Sequence, residues 1–165
     1  MNLHACNLLF DAVKPVDGLQ IAVPSSSTPD YVSMKGFRKC AILIKILNGT
    51  TVTGSAITVK QATAVAGTSE KAVTFTKAYR NIDMAAADAL AEFAVTSSTF
   101  TTDTTNAKKL MYVIDIDVDD LDVSGGFDCI RAGTANAANT LTFDVTYLLY
   151  GARYASSPPP AAITD

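Results

Sequence analysis

Lys39-Cys40-Ala41-Ile42-Leu43-Ile44-Lys45-Ile46-Leu47 is the densest aliphatic run in the 165-residue chain, and Asn48-Gly49 closes it. A run of this kind bounded by turn residues fits a strand, buried on both faces or lying in a sandwich core. Asn48-Gly49-Thr50 also matches a glycosylation sequon, but Asn-Gly is better read as a turn that tolerates positive φ. The second deciding stretch is Leu110-Met111-Tyr112-Val113-Ile114-Asp115-Ile116-Asp117-Val118. Its alternation puts Ile114, Ile116 and Val118 on a core face.

The neighbouring segments extend this reading. Ala56 to Ala62 alternates at period two, and Lys71 to Thr76 does so again after Gly67-Thr68-Ser69, as consecutive antiparallel strands would. Thr-rich residues 95–106 read as a strand plus loop. Gly125-Gly126 breaks the chain before Phe127 to Arg131, a loop follows over Gly133 to Asn139, and Leu141 to Tyr150 forms a long last strand. Between Asp83 and Phe93 the Ala and Leu content favours one short helix or a helical turn, with Asp83 as cap and Ala86, Leu90 and Phe93 on one face.

Residues 1–30 carry Pro15, Asp17-Gly18, Pro24, a serine run and Pro29, so they read as an extended arm with a short strand at Leu19 to Val23. Residues 155–165 form a second arm: Pro158-Pro159-Pro160 imposes extended backbone and offers no amide donors. The fifteen residues after Tyr150 reach up to roughly 50 Å when fully extended. The expected fold is therefore all-β: an antiparallel β-sandwich or jelly-roll-like barrel of about six to eight strands over residues 31–154, with one short helix and extended termini.

Net charge is −3 and the isoelectric point is near 5.0, with Lys and Arg scattered singly, so direct nucleic-acid binding is not expected. MNLHACNLLF has no basic leader region, and its apolar run is too short for a membrane span. The three cysteines, Cys6, Cys40 and Cys129, lie far apart and read as buried free thiols. The single histidine, His4, sits in the loosely patterned start of the chain, and no phosphate or dinucleotide loop motif occurs. No catalytic residue and no cofactor are expected, and the chain reads as a non-enzyme.

One acidic constellation bears on metals: Asp115, Asp117, Asp119, Asp120 and Asp122. Alternate residues on a strand lie roughly 7 Å apart, too far for one ion, so only Asp119, Asp120 and Asp122 are calcium candidates. They lack the glycine and distal glutamate of an EF-hand, and a solvated acidic face that protects a sheet edge is the preferred reading. The six tyrosines, Tyr31, Tyr79, Tyr112, Tyr147, Tyr150 and Tyr154, raise a glycan-stacking platform as an alternative, with core or interface packing preferred.

Three segments carry a family resemblance. They are Asp30-Tyr31-Val32-Ser33-Met34-Lys35-Gly36-Phe37, then Ala56 to Ala62 with Lys71 to Phe75, and the ending Tyr147 to Tyr154 through Pro160 to Asp165. In order and spacing they resemble small structural proteins of tailed phages, of the type encoded near the capsid genes. The resemblance implies a head decoration or cement protein on the outer capsid surface of the virion, made in the host cytoplasm. Its implied partners are the major capsid protein and further copies of itself, a trimer being the natural form, with no membrane contact. A neck, tail or fibre subunit is the alternative. Tyr150, Arg153, Tyr154, Pro158, Pro159 and Pro160 are the interface candidates.

Overall fold

The structure, a computed structural model, describes residues 9–23, 27–134 and 141–153. A helical turn, α1 (Leu9–Ala12), leads into β1 (Val13–Ala22), β2 (Val32–Ser33), β3 (Phe37–Asn48) and β4 (Ala56–Ala62). The short strands β5 (Lys71–Ala72), β6 (Lys77–Asn81), β7 (Ala91–Ala94) and β8 (Thr99–Thr101) follow. Then come β9 (Lys109–Asp117), two 3-10 turns (Val118–Asp120 and Val123–Gly125), β10 (Cys129–Thr134) and β11 (Leu141–Ala152).

The strands form two antiparallel sheets packed as a sandwich. One has the order β1-β11-β3-β9-β6-β7, and the other β2-β10-β4-β5 with β8 also pairing β4. The two decisive stretches of sequence become β3 and β9, which lie side by side at the centre of the larger sheet with Ile42 opposite Ile114 and Ile44 opposite Tyr112. β3 alternates cleanly, so it is a sandwich-core strand rather than one buried on both faces. Cys40, Ile42, Ile44 and Ile46 face inward against Leu110, Ile114 and Ile116 of β9, Phe143, Val145 and Leu149 of β11, and Ile57 and Val59 of β4. Ile114, Ile116 and Val118 are buried, as their alternation predicted. The described cysteines, Cys40 and Cys129, are buried free thiols; Cys6 and His4 lie outside the described residues.

Several expectations differ from the structure. The strand count exceeds six to eight because β2, β5, β7 and β8 are only two to four residues long. Of the helix or helical turn expected from Asp83 to Phe93, only the turn forms. The segment makes one turn, with the amides of Ala86 and Ala87 on the Asp83 carbonyl, and the Asn81 amide then captures the Ala87 carbonyl at 2.7 Å. Phe93 is drawn into β7, where its ring meets Phe100 and Tyr112 edge-on at 5.2 and 6.1 Å, and this aromatic packing overrides the local helix propensity.

Asn48-Gly49 is not a tight hairpin turn with positive φ. Asn48 is buried and its amide donates to the carbonyls of Asp103 and Thr105, clamping a distant loop. Gly133 lies inside β10 rather than in a loop. Regular structure in the N-terminal region also starts earlier than expected, since β1 pairs with β11 from Val13 onward.

Tyr147 ties the two sheets together. It projects from β11 through the core, and its hydroxyl donates to the Asp30 carbonyl at 2.9 Å while accepting from the Ala132 amide at 3.2 Å. β2 and β10 pair at Val32↔Ile130 and Ser33↔Cys129, and continuing that register would set Asp30 opposite Ala132. The phenol therefore occupies the place of the next ladder hydrogen bond, satisfying both backbone groups from the opposite sheet. Gly18 makes room for the ring: a Cβ there would lie 2.3 Å from Tyr147 Cε2.

Tyr147→Phe deprives the Ala132 amide of its acceptor and removes the hydroxyl's bond to the Asp30 carbonyl, and is expected to lower unfolding free energy by about 1–3 kcal/mol, read by urea denaturation. Gly18→Ala is expected to cost a similar ~1–3 kcal/mol, most of which disappears in a Tyr147→Leu background, where the clashing ring is gone.

Candidate interaction surface

The alternation that buries one side of β3 exposes the other: Lys39, Ala41, Leu43, Lys45 and Leu47 point outward from the larger sheet. Register places Asp115 and Leu148 beside Ala41, and Val113 and Thr146 beside Leu43. The centre of this face is thus a half-buried apolar strip. It is framed by ion pairs, Lys39 with Asp117 at 3.6 Å and Lys45 with Asp144 at 3.3 Å, both at the surface and worth little as stability. They set a charged border around the apolar centre.

At one end the strip opens into a shallow depression of about 290 Å³, walled by Ile21, Leu47 and Met84 with Lys45, Lys109 and Asp144 at its rim. These three apolar side chains are exposed, Ile21 by 75%, Leu47 by 50% and Met84 by 39%. Ile21 is there because β1 carries irregularities against β11, between Asp17 and Leu19 and again between Leu19 and Ala22, and an extra residue in a strand re-aims the side chains beyond it. Met84 is held by its own amide on the Lys109 carbonyl at 2.9 Å.

Of the interface candidates, Tyr150 stands on this same outer face. Its hydroxyl donates to Asp115 at 3.3 Å, and burial followed by the Asp115 charge pushes its pKa up to about 12. Arg153 follows the end of β11, its side chain exposed and its amide on the Gly36 carbonyl. Tyr154, Pro158, Pro159 and Pro160 lie outside the described residues. Tyr31, Tyr112 and Tyr147 are buried, and Tyr79 and Tyr150 belong to β6 and β11, which two strands separate. They do not make a stacking platform.

The acidic segment is a set of caps. Asp117 accepts from the Asp119 amide and Asp120 from the Asp117 amide, a capping box around the first 3-10 turn. Asp122 caps the second turn through the Gly125 amide and the Ser124 hydroxyl at 2.9 Å each, and Lys71 reaches its other oxygen at 2.5 Å. Gly126, in the left-handed region at φ +83°, ends that turn. Asp119, Asp120 and Asp122 are not brought together, and among the described residues no three acidic, His or Cys side chains converge as metal ligands. β6 pairs β9 only from Met111 to Val113, so Asp115 and Asp117 stand on a stretch of β9 that β3 alone flanks among the described residues.

A smaller hollow on the other sheet, about 210 Å³, includes Tyr31, Glu70 and Arg131. Glu70 receives the Tyr31 hydroxyl at 2.8 Å, Arg131 at 2.9 Å and Lys60 at 2.5 Å, and the Lys60 hydrogen bond is the main reason its carboxyl sits below the ordinary range. Glu70 thus satisfies three donors, while the buried Nε of Arg131 has no hydrogen-bond partner among the described residues.

Ile21, Leu47 and Met84 escaped the sequence reading. Leu47 carried a signal, since the alternation of β3 puts it opposite Ile46, but Ile21 depends on the irregularities in β1 and Met84 on the absence of the helix.

No family model matches the chain, and no curated protein matches it. Among solved structures, the crystal structure of the SPBc2 prophage-derived protein YomS aligns over 83% of this chain and 91% of its own, with 12% identity and a TM-score of 0.44. No helix among the described residues is long and apolar enough to cross a membrane.

The Lys71 contact, with help from Ser124 and the Gly125 amide, holds the Asp122 pKa at about 2. An acid lowered on folding stabilises the native state above its unfolded value, near 3.9, and that contribution is lost as pH falls through the folded value. Between about pH 4 and pH 2 the thermal midpoint of the native chain is therefore expected to fall more steeply than that of Asp122→Asn, the two curves converging at the acid end.

Proposed function

We propose that the chain is a non-enzymatic structural protein of a tailed-phage particle, a decoration or cement protein that binds the outer surface of the assembled head and associates with copies of itself. The observation that carries the reading is the outer face of the six-stranded sheet, a preformed surface with an apolar centre and a fixed polar frame. Interfaces of this build, apolar within and polar at the rim, join rigid partners with little ordering cost. The resemblance of the Asp30 to Phe37 segment, of Ala56 to Ala62 with Lys71 to Phe75, and of the ending Tyr147 to Tyr154 through Pro160 to Asp165 to small phage structural proteins supplies the virion context.

A binding role rather than a chemical one also suits the described side chains. The Cys40 thiol is raised well above its ordinary range by complete burial, and burial with the adjacent Asp128 pushes Cys129 up to about 12, so neither is a ready nucleophile. Asp117, Asp120 and Asp122 are occupied in capping, and Asp115 accepts from Tyr150.

The test is rebinding to capsids stripped of accessory proteins. The purified chain is expected to coat the whole shell in electron micrographs and to raise its resistance to heat. Leu43→Lys, at the centre of the apolar strip, is expected to weaken rebinding at least about tenfold with little change in folding, as a central interface position should. A monomer without affinity for shells overturns the reading, and labelling confined to one vertex or the tail replaces it with the neck, tail or fibre assignment.

A further inference from the structure

We propose that the apolar depression at Ile21, Leu47 and Met84 receives the proline-rich segment of a second copy of this chain, residues 154–165. From the proposed function this takes only that copies of the chain meet one another.

The depression has the right character for such an occupant. At about 290 Å³ it stands at the small end of ligand sites, suited to a few side chains of a peptide rather than to a cofactor. Three exposed apolar side chains wall it, and Lys109 at its rim pairs with no carboxylate among the described residues. Pro158-Pro159-Pro160-Ala161-Ala162-Ile163 is the longest run without a polar side chain beyond β11, and Asp165 follows it with a negative charge. Consecutive prolines favour the extended polyproline conformation, which loses little entropy on docking into an apolar groove.

Geometry decides between the chain's own segment and another's. β11 begins at the depression, where Thr142, Phe143 and Asp144 line it, and runs away from it to Ala152. Phe143 and Ala152 are nine strand residues apart, a distance of about 30 Å. Ile163, ten residues beyond Arg153, reaches about 31 Å in polyproline geometry. To return, the segment would have to reverse direction at Arg153, whose amide is tied to Gly36, and then stay taut over its whole length. The same segment directed outward meets a neighbouring copy without that reversal.

The experiment uses the full-length chain in two variants, one with Pro158→Gly, Pro159→Gly and Pro160→Gly, the other with Leu47→Asp and Met84→Asp. Leu47 and Met84 are exposed, so the second variant leaves the core in place, and circular dichroism melts verify both. By sedimentation velocity the native chain is expected to self-associate, and each variant to do so at least about tenfold more weakly. An equimolar mixture of the two is expected to recover part of the association, because one variant supplies an intact segment and the other an intact depression. A monomeric native chain, variants that associate like it, or a mixture no tighter than its components would each overturn the proposal. Capsid rebinding by the same variants separates the two readings: mixture rescue without shell binding leaves this inference standing and removes the virion assignment, and the reverse removes only this inference.

Discussion

The sandwich depends on one phenol. Tyr147 stands in the larger sheet and places its hydroxyl between an amide and a carbonyl of the smaller one, where a backbone hydrogen bond would otherwise form. A buried orphan amide or carbonyl costs about as much as a lost hydrogen bond, so the pairing of β2 with β10 stops where the tyrosine takes over. The ring in turn requires Gly18 on β1, and the irregularity there carries Ile21 outward. A contact at the centre of the core is thereby linked to the shape of the exposed surface at the sheet's end.

The parts of the fold legible in sequence were those with uninterrupted periodicity. β3, β9 and β11 each alternate for long enough that their inward faces follow from side-chain direction alone. Where long-range partners decide, local reading failed. The Ala-rich segment after Asp83 had helix propensity on its side, yet Phe93 gains more from Phe100 and Tyr112 than a short exposed helix would return. Asn48 looked like turn chemistry and is instead a buried clamp on residues more than fifty positions away.

Candidate sites followed the same division. The carboxylates from Asp115 to Asp122 were conspicuous in sequence, but turns built of Asp residues consume their own side chains in capping, and that is settled by backbone geometry which composition does not encode. Tyr150 and Arg153 come with the resemblance rather than from any local pattern, and Tyr150 stands on the outer face beside Asp115. The depression is formed by side chains from separate segments, gathered by an irregular strand and a turn, so no sequence window contained it.

β1 has a further consequence. It is an edge of the six-stranded sheet, with Pro15 lacking an amide, two breaks in register, and the Gly18 carbonyl already taken by the Asp30 amide. The opposite edge, β7, is only four residues long. Neither border of this sheet is a good template for an incoming strand, so strand-to-strand addition at its edges is disfavoured. Contacts at this sheet are thereby steered away from strand addition and toward its faces.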